Sequence, residues 1–313
     1  MIKVKIKDIV TKLKAYTGFN YVVAWSKTTN FFRLGGISLY DIINGFFNGI
    51  KNSNLTMRSA AISYNFFLAL FPFIIFLFTF IAFLPINNLQ EQILKGLSDL
   101  LPEPTYITVR ETIVDIISIQ RGSLLSIGFL TAFYFSSNGI RSIIAAFTVF
   151  STKKDNRAEW RIQLLSAGLT ISLVMLLIIA VVVVVATSIG LSYLKTKGIV
   201  KDDFILILIS IGKWVIFFSL LWFSVSVLYR FGPPKFARFR LFSPGALVAS
   251  ILMVVSIILF SFYVSNFGTY NKIYGSIGTI IVVLLLININ ALLLLVGYEF
   301  NVSFYSKLPE KSN

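Results

Sequence analysis

The stretch that most constrains this chain is Arg58 to Leu84, RSAAISYNFFLALFPFIIFLFTFIAFL, in which no charge follows Arg58. At about 1.5 Å rise per residue, a helix of this length crosses a hydrocarbon core of roughly 30 Å. Similar apolar runs recur to the end of the chain. Only 13% of residues are charged, against about 25% in soluble domains. The excess apolar residues are gathered into runs rather than spread at periods of two or 3.6, which points to a bilayer. The runs are too continuous for outer-membrane strands, which alternate over about ten residues. The expected fold is therefore all-α and polytopic.

The formal charge is +15, with no cysteine and no histidine. In a soluble protein such charge suggests nucleic acid. Here the lysines and arginines sit beside the apolar runs, so topology and anionic lipid explain them better, and no nucleic-acid partner is expected. Disulfides, thiolate metal sites, the commonest metal ligand and the commonest general base are all excluded. No cofactor or metal is expected. The lysine-rich start has no apolar core and cleavage site close behind it, so the first span is expected to direct insertion.

Residues 1–57 read as a basic cytoplasmic arm and an amphipathic helix. Leu39, Ile42, Ile43, Phe46, Phe47 and Ile50 form one stripe, with Asp41, Asn44, Asn48 and Lys51 off it. Such a helix either rests in the membrane interface or packs on the cytoplasmic face of the bundle. Residues 58–301 read as a six-span domain, with spans at about 60–84, 122–150, 162–191, 204–231, 244–267 and 274–300, and 302–313 as a cytoplasmic tail. Pro72 lies inside the first span and predicts a kink that neighbouring helices tolerate. Residues 85–121 carry five acids and two apolar stripes separated by Pro102 and Pro104. They predict an extracytoplasmic helical hairpin. Ser243-Pro244 reads as an N-cap followed by proline at the first helical position.

Orientation follows from the basic residues. Nine precede the first span, and four lie in each of the links after spans two and four. The links after spans one, three and five hold three, three and one. Six spans with both termini in the cytoplasm satisfy the positive-inside rule.

Three blocks resemble the YihY/BrkB-like family of bacterial inner-membrane proteins. They are SAAISYNFFLALFPF (59–73), SSNGIRSIIAAFTVFSTKKDNRAEWRIQLLSAGLT (136–170), and LYRFGPPKFARFRLFSPGALVAS through FYVSNFGTYNKIYGSIGTIIVVLLL to GYEFN (228–301). The lysine-rich residues 1–36 lie outside the match. The sixth span reads LININALLL where relatives have an aromatic segment, and Gly297-Tyr298-Glu299 stands where Gly-Ala-Glu is usual. The resemblance implies six helices and an inner-membrane location. It implies little chemistry; labels attached to the family include ribonuclease, serum-resistance factor, and lipid or lipopolysaccharide exporter.

Polar residues within or beside apolar spans are the candidates for a substrate or ion path. They are Asn138, Arg141, Lys213, Asn266, Tyr270, Tyr274, Asn288, Asn290 and Glu299. Arg141 is either a polar site with Asn138 or a snorkelling anchor. Lys213 sits within an apolar run and calls for a partner; Glu299 or the outer-side Asp202 and Asp203 are the options. Glu299 reads either as one half of a clamp with Arg141 or Arg58, or as a proton-coupled carboxylate. Asn266, Tyr270 and Tyr274 lie in a Gly-, Asn- and Tyr-rich segment suited to head groups or to a tight turn. Asn288 and Asn290 suit interhelical hydrogen bonds. Arg230, Lys235, Arg238 and Arg240 suit anionic lipid or simply set topology.

The leading functional reading is transport or flipping of a lipid or amphiphilic envelope component, not an enzymatic reaction. The alternative is a scaffold that organises an envelope complex with a protein partner. Ribonuclease activity comes last, since no nucleolytic motif is present. Membrane lipids are the expected partners, and a homo-oligomer is left open.

Overall fold

The computed structural model describes residues 39–52, 54–81, 94, 110, 114, 121–148, 155–196, 203–234, 242–266 and 276–306. Among these, seven helices account for nearly every residue. They are α1 (Leu39–Asn52), α2 (Leu55–Ile81), α3 (Gly122–Thr148), α4 (Glu159–Thr196), α5 (Asp203–Phe231), α6 (Pro244–Asn266) and α7 (Ser276–Ser306). The arm 1–36 and the hairpin expected over 85–121 lie outside the described residues, apart from isolated helical positions at Leu94, Arg110 and Val114 and the non-helical Arg121.

Five of the helices, α2, α4, α5, α6 and α7, are long and apolar enough to cross a membrane. The helix α3 has 27 residues, but SSNG at 136–139 and Arg141 dilute its apolar character. Helix ends differ from the expected spans in a consistent way. The helix α2 begins at Leu55, before Arg58, and α7 continues to Ser306, beyond Glu299 and Asn301. Polar residues therefore belong to the helices themselves, because the backbone stays internally bonded through the interface. The helix α2 runs continuously through Pro72.

Each of the six helices α2 to α7 packs on its sequence neighbours, and α7 returns to pack on α2. The result is a closed ring in chain order. Cross-helix contacts give antiparallel registers throughout. Arg141 and Gln163 of the α3–α4 pair meet Glu159 and Ser137. Asn65 Nδ2 of α2 donates to Ser142 Oγ of α3 at 2.9 Å.

One end of the ring is solid. It collects the starts of α2, α4 and α6 and the ends of α3, α5 and α7. Ile62, Ile144, Phe147, Tyr229, Ala246, Ala249 and Leu295 are all buried there. Phe147, Tyr229 and Tyr298, from α3, α5 and α7, meet in its middle. The Phe147 and Tyr298 rings stack with centroids 4.1 Å apart, and Tyr229 is edge-on to both. These three helices alternate around the ring, so their side chains plug its axis.

Among the described residues, the other end is open along α4 to α7. Ile257, Ile258, Leu259, Phe262, Tyr263 and Val264 of α6 are all exposed. At 100° per residue they point around the whole circumference. The same holds for Ile211, Trp214, Val215, Ile216 and Phe217 of α5. Both helices therefore expose their described side chains on every side at this end. The α2–α3 pair stays packed along its length, with Gly128 against the Phe76 backbone and Phe129 against Phe76.

Candidate functional site

The helix α7 organises the polar residues. Asn288 and Glu299 are eleven positions apart, close to three turns, and so share a face. That face meets α2: Asn288 Nδ2 donates to Ser63 Oγ at 3.2 Å, and Arg58 lies within electrostatic reach of the Glu299 carboxylate. Asn290 and Asn301 repeat the spacing on a second face, which meets α6. Ser256 Oγ donates to Asn290 Oδ1 at 3.5 Å. The interior of the ring is thus stitched at two depths on each side of α7.

Asn301 makes the tighter pair of contacts. Its Oδ1 accepts the Gly245 N–H at 2.7 Å, and its Nδ2 donates to Ser243 Oγ at 2.7 Å. The first turn of a helix has N–H groups with no intrahelical partner. Ser243 is the local cap, as its sequence position predicts, with the Ala246 N–H donating to Ser243 Oγ at 3.4 Å. Asn301 is a second cap supplied by a different helix. The helices approach closely enough for this because both carry glycine. A Cβ on Gly297 would lie 2.5 Å from Ala249 Cβ and 2.7 Å from the Gly245 carbonyl oxygen. Tyr229 Oη donates to the Leu294 carbonyl at 2.5 Å, tying α5 to the same crossing.

Glu299 is 5% exposed, and its Oε2 has no hydrogen-bond partner among the described residues. Its other oxygen lies where a side chain on Gly49 would begin. The helix α1 therefore sits directly on the carboxylate. It is held on α7 by a small-residue face: Gly45 against Ser303, Gly49 against Glu299, and Phe46 edge-on to Phe300. Phe47, Asn48 and Lys51 face outward. Of the two placements the apolar stripe allows, contact with the bundle is the one seen for these residues.

The remaining sequence candidates are scattered. Arg141 pairs with Glu159 at the start of α4, not with Glu299. Both side chains are largely exposed, so the pair contributes at most about 1 kcal/mol. Asn138 is half-buried one turn earlier on α3, and its carbonyl accepts from Ser142 Oγ. Lys213 reaches no position near Glu299: it lies at the open end, with Nζ 5.5 Å from the centre of the Trp214 ring, a cation–π arrangement that suits an amine among aromatics. Arg230 is exposed at the end of α5. Asn266 ends α6, and its side chain is not among those described. Tyr270, Tyr274, Lys235, Arg238 and Arg240 lie outside the described residues.

Two partnerships were hidden from sequence reasoning. Gly49 carries no signal of its own beyond its i+4 spacing from Gly45. Asn301 stands in the GYEFN block, but its role depends on the N-terminus of α6. A third feature lies between α3 and α4. Arg157 binds the Asp155 carboxylate through Nε at 2.9 Å and Nη2 at 2.7 Å, and Nη2 also donates to the Gly232 carbonyl at 3.1 Å. These hydrogen bonds hold the Asp155 carboxyl below the usual carboxylate range. The link thereby locks onto the end of α5.

A ring of long apolar helices with buried interhelical amides and a carboxylate at one end defines a multi-pass α-helical membrane protein. The sequence matches the family described as Virulence factor BrkB over residues 46–313, and the chain belongs to that family. The putative ribonuclease-like protein YfkH of Bacillus subtilis is 31% identical over 82% of this chain and 92% of its own length. A UPF0761 membrane protein of Alteromonas mediterranea is 25% identical over 91% and 95%. A UPF0761 membrane protein of Histophilus somni (strain 129Pt) is 24% identical over 80% and 85%. No solved structure matches.

Proposed function

We propose that this protein moves a lipid or amphiphilic envelope component through a six-span bundle in the bacterial inner membrane, with both termini cytoplasmic. The observation that carries the reading is the asymmetric ring. It is plugged at one end by Phe147, Tyr229 and Tyr298, and at the other its described apolar side chains are exposed. An amphiphile with acyl chains needs a route that is open to lipid along its side, and this reading places it along the exposed apolar faces of α5 and α6. Lys213 and Trp214 stand in the α5 half of that route. A cation beside an aromatic there suits an anionic head group. Arg157, Arg161 and Arg230 lie at the plugged end, which supports a cytoplasmic placement for it. The interfacial role of α1 belongs to the same reading, with Phe47 turned outward beside Lys51.

The test is lipid movement in liposomes. Purified protein is expected to accelerate transbilayer exchange of a fluorescent anionic phospholipid, and Lys213→Ala is expected to slow it severalfold with folding intact. Absence of exchange with wild-type protein under any ion gradient would sink the transport reading. It would favour the scaffold instead, which crosslinking to an envelope partner would then identify. Ribonuclease activity, carried by the name of the Bacillus subtilis relative, stays last. Among the described residues no three potential metal ligands converge.

A further inference from the structure

We propose that Glu299 is a proton-binding site at the plugged end of the ring and that α1 is the lid over it. The idea extends the transport reading by naming an ion-binding group. Its test measures no flux, so either can fail alone.

Among the described side chains, Glu299 is the one charged residue that is buried. A buried polar atom without a partner is costly, so it calls for a proton, a water or a donor. Its surroundings offer few. From α2 comes Arg58, and on α7 itself Tyr298 stands next in sequence, its ring packed between Phe147 and Tyr229. Arg141 of α3 is turned to Glu159. The helix α1 presents the Gly49 backbone, with Lys51 exposed two residues on, towards the opposite side of the helix. One carboxylate oxygen is thus covered by a glycine, and the other, with no hydrogen bond among the described residues, can take either a proton or the Arg58 guanidinium.

The seat of α1 has the character of a lid. Its described contacts with α7 and the core include Gly45 on Ser303, Gly49 on Glu299, the Phe46–Phe300 ring pair and Ile50 packed on the buried cluster. Lifting it would give the carboxylate to water. Exchange of the proton and movement of α1 are therefore linked: the acid is sealed while the helix is docked and accessible when it lifts.

The chain has no cysteine, so an introduced pair is unique. A Cβ on Gly45 would lie 3.7 Å from Ser303 Cβ, within the disulfide range of about 3.5–4.5 Å. In Gly45→Cys/Ser303→Cys the lid can be locked by oxidation and released by reduction. The probe is dicyclohexylcarbodiimide, which adds to protonated carboxyls in apolar surroundings and leaves a mass-detectable adduct. The reduced protein is expected to be labelled at Glu299 at about pH 5 and less at about pH 8, a window in which the absent histidine cannot respond. Locking the lid is expected to lower labelling about tenfold, as for any site reached only through local opening, with full recovery on reduction. Gly49→Ala, which leaves the carboxylate no room under α1, is expected to raise labelling. No adduct at Glu299 in the reduced protein at any pH would overturn the proton site. Equal labelling with the lid locked and free, or failure of the disulfide to form, would overturn the lid.

Discussion

The two ends of the ring are built from the same six helices, yet they obey different packing rules. At the plugged end, small residues let backbones meet: Gly245 and Gly297 leave no room for a side chain, and Ala246, Ala249, Ser243 and Ser250 are fully buried. At the open end, Gly190 and Gly212 have nothing within 4 Å of a would-be Cβ, and large apolar side chains point outward in all directions. In lipid there is no hydrophobic drive to bring helices together, so association follows close packing and hydrogen bonds. Where small residues and polar partners coincide, the helices are locked. Where Leu, Ile and Phe dominate, they are free to part.

Paired substitutions sharpen the contrast. The largest effect is expected from aromatic truncation. Phe147→Ala removes the centre of the plug and should destabilise the protein by about 3–5 kcal/mol, whereas truncating the exposed Leu259 to Ala at the open end should leave stability within about 0.5 kcal/mol. Unfolding in detergent, followed by denaturant or heat, measures both. Equal losses would mean that the open end is packed in the membrane.

Glycine substitutions come next. Gly297→Ala forces α6 and α7 apart and is expected to cost about 1–3 kcal/mol. Gly212→Ala meets open space and gains helix propensity, so it should be neutral or stabilising by up to about 1 kcal/mol. A destabilised Gly212→Ala would place an unseen neighbour against α5.

The smallest contrast lies between two asparagines on one face of α7. Asn301→Ala strips a buried cap from α6 and leaves the Gly245 N–H and Ser243 hydroxyl short of partners, an expected loss of about 1–3 kcal/mol. Asn290→Leu removes a 3.5 Å contact to Ser256 and should change stability by about 0.6 kcal/mol, the average for such bonds in membrane bundles. Comparable losses would show that both ends are held by hydrogen bonds rather than by close approach.

The membrane class, the helical content and most helix positions are legible in the chain because long apolar runs permit little else. Ser243-Pro244 marks the start of α6 by local capping chemistry alone, and Asn288 and Asn290 declare themselves as amides in an apolar run. The candidate site is only half legible. Glu299 is conspicuous, but its partner had two options in sequence, Arg58 and Arg141, both near the same end of the bundle. Helix register sends Arg141 across to Glu159 and leaves Arg58 beside the acid. Lys213 likewise faces its neighbour Trp214 because it lies in the first half of α5, whose far end joins the plug.

What the sequence by itself determined is local: which segments must be helical, and which side chains are too polar to ignore. The order of helices around the ring, the plug made from every second helix, and the seat of Gly49 on Glu299 were decided by tertiary structure alone. The physical reason is that an apolar helix offers lipid and protein the same surface. Its sequence shows that it spans, while only a neighbour's small residues and hydrogen-bond partners determine which face turns inward.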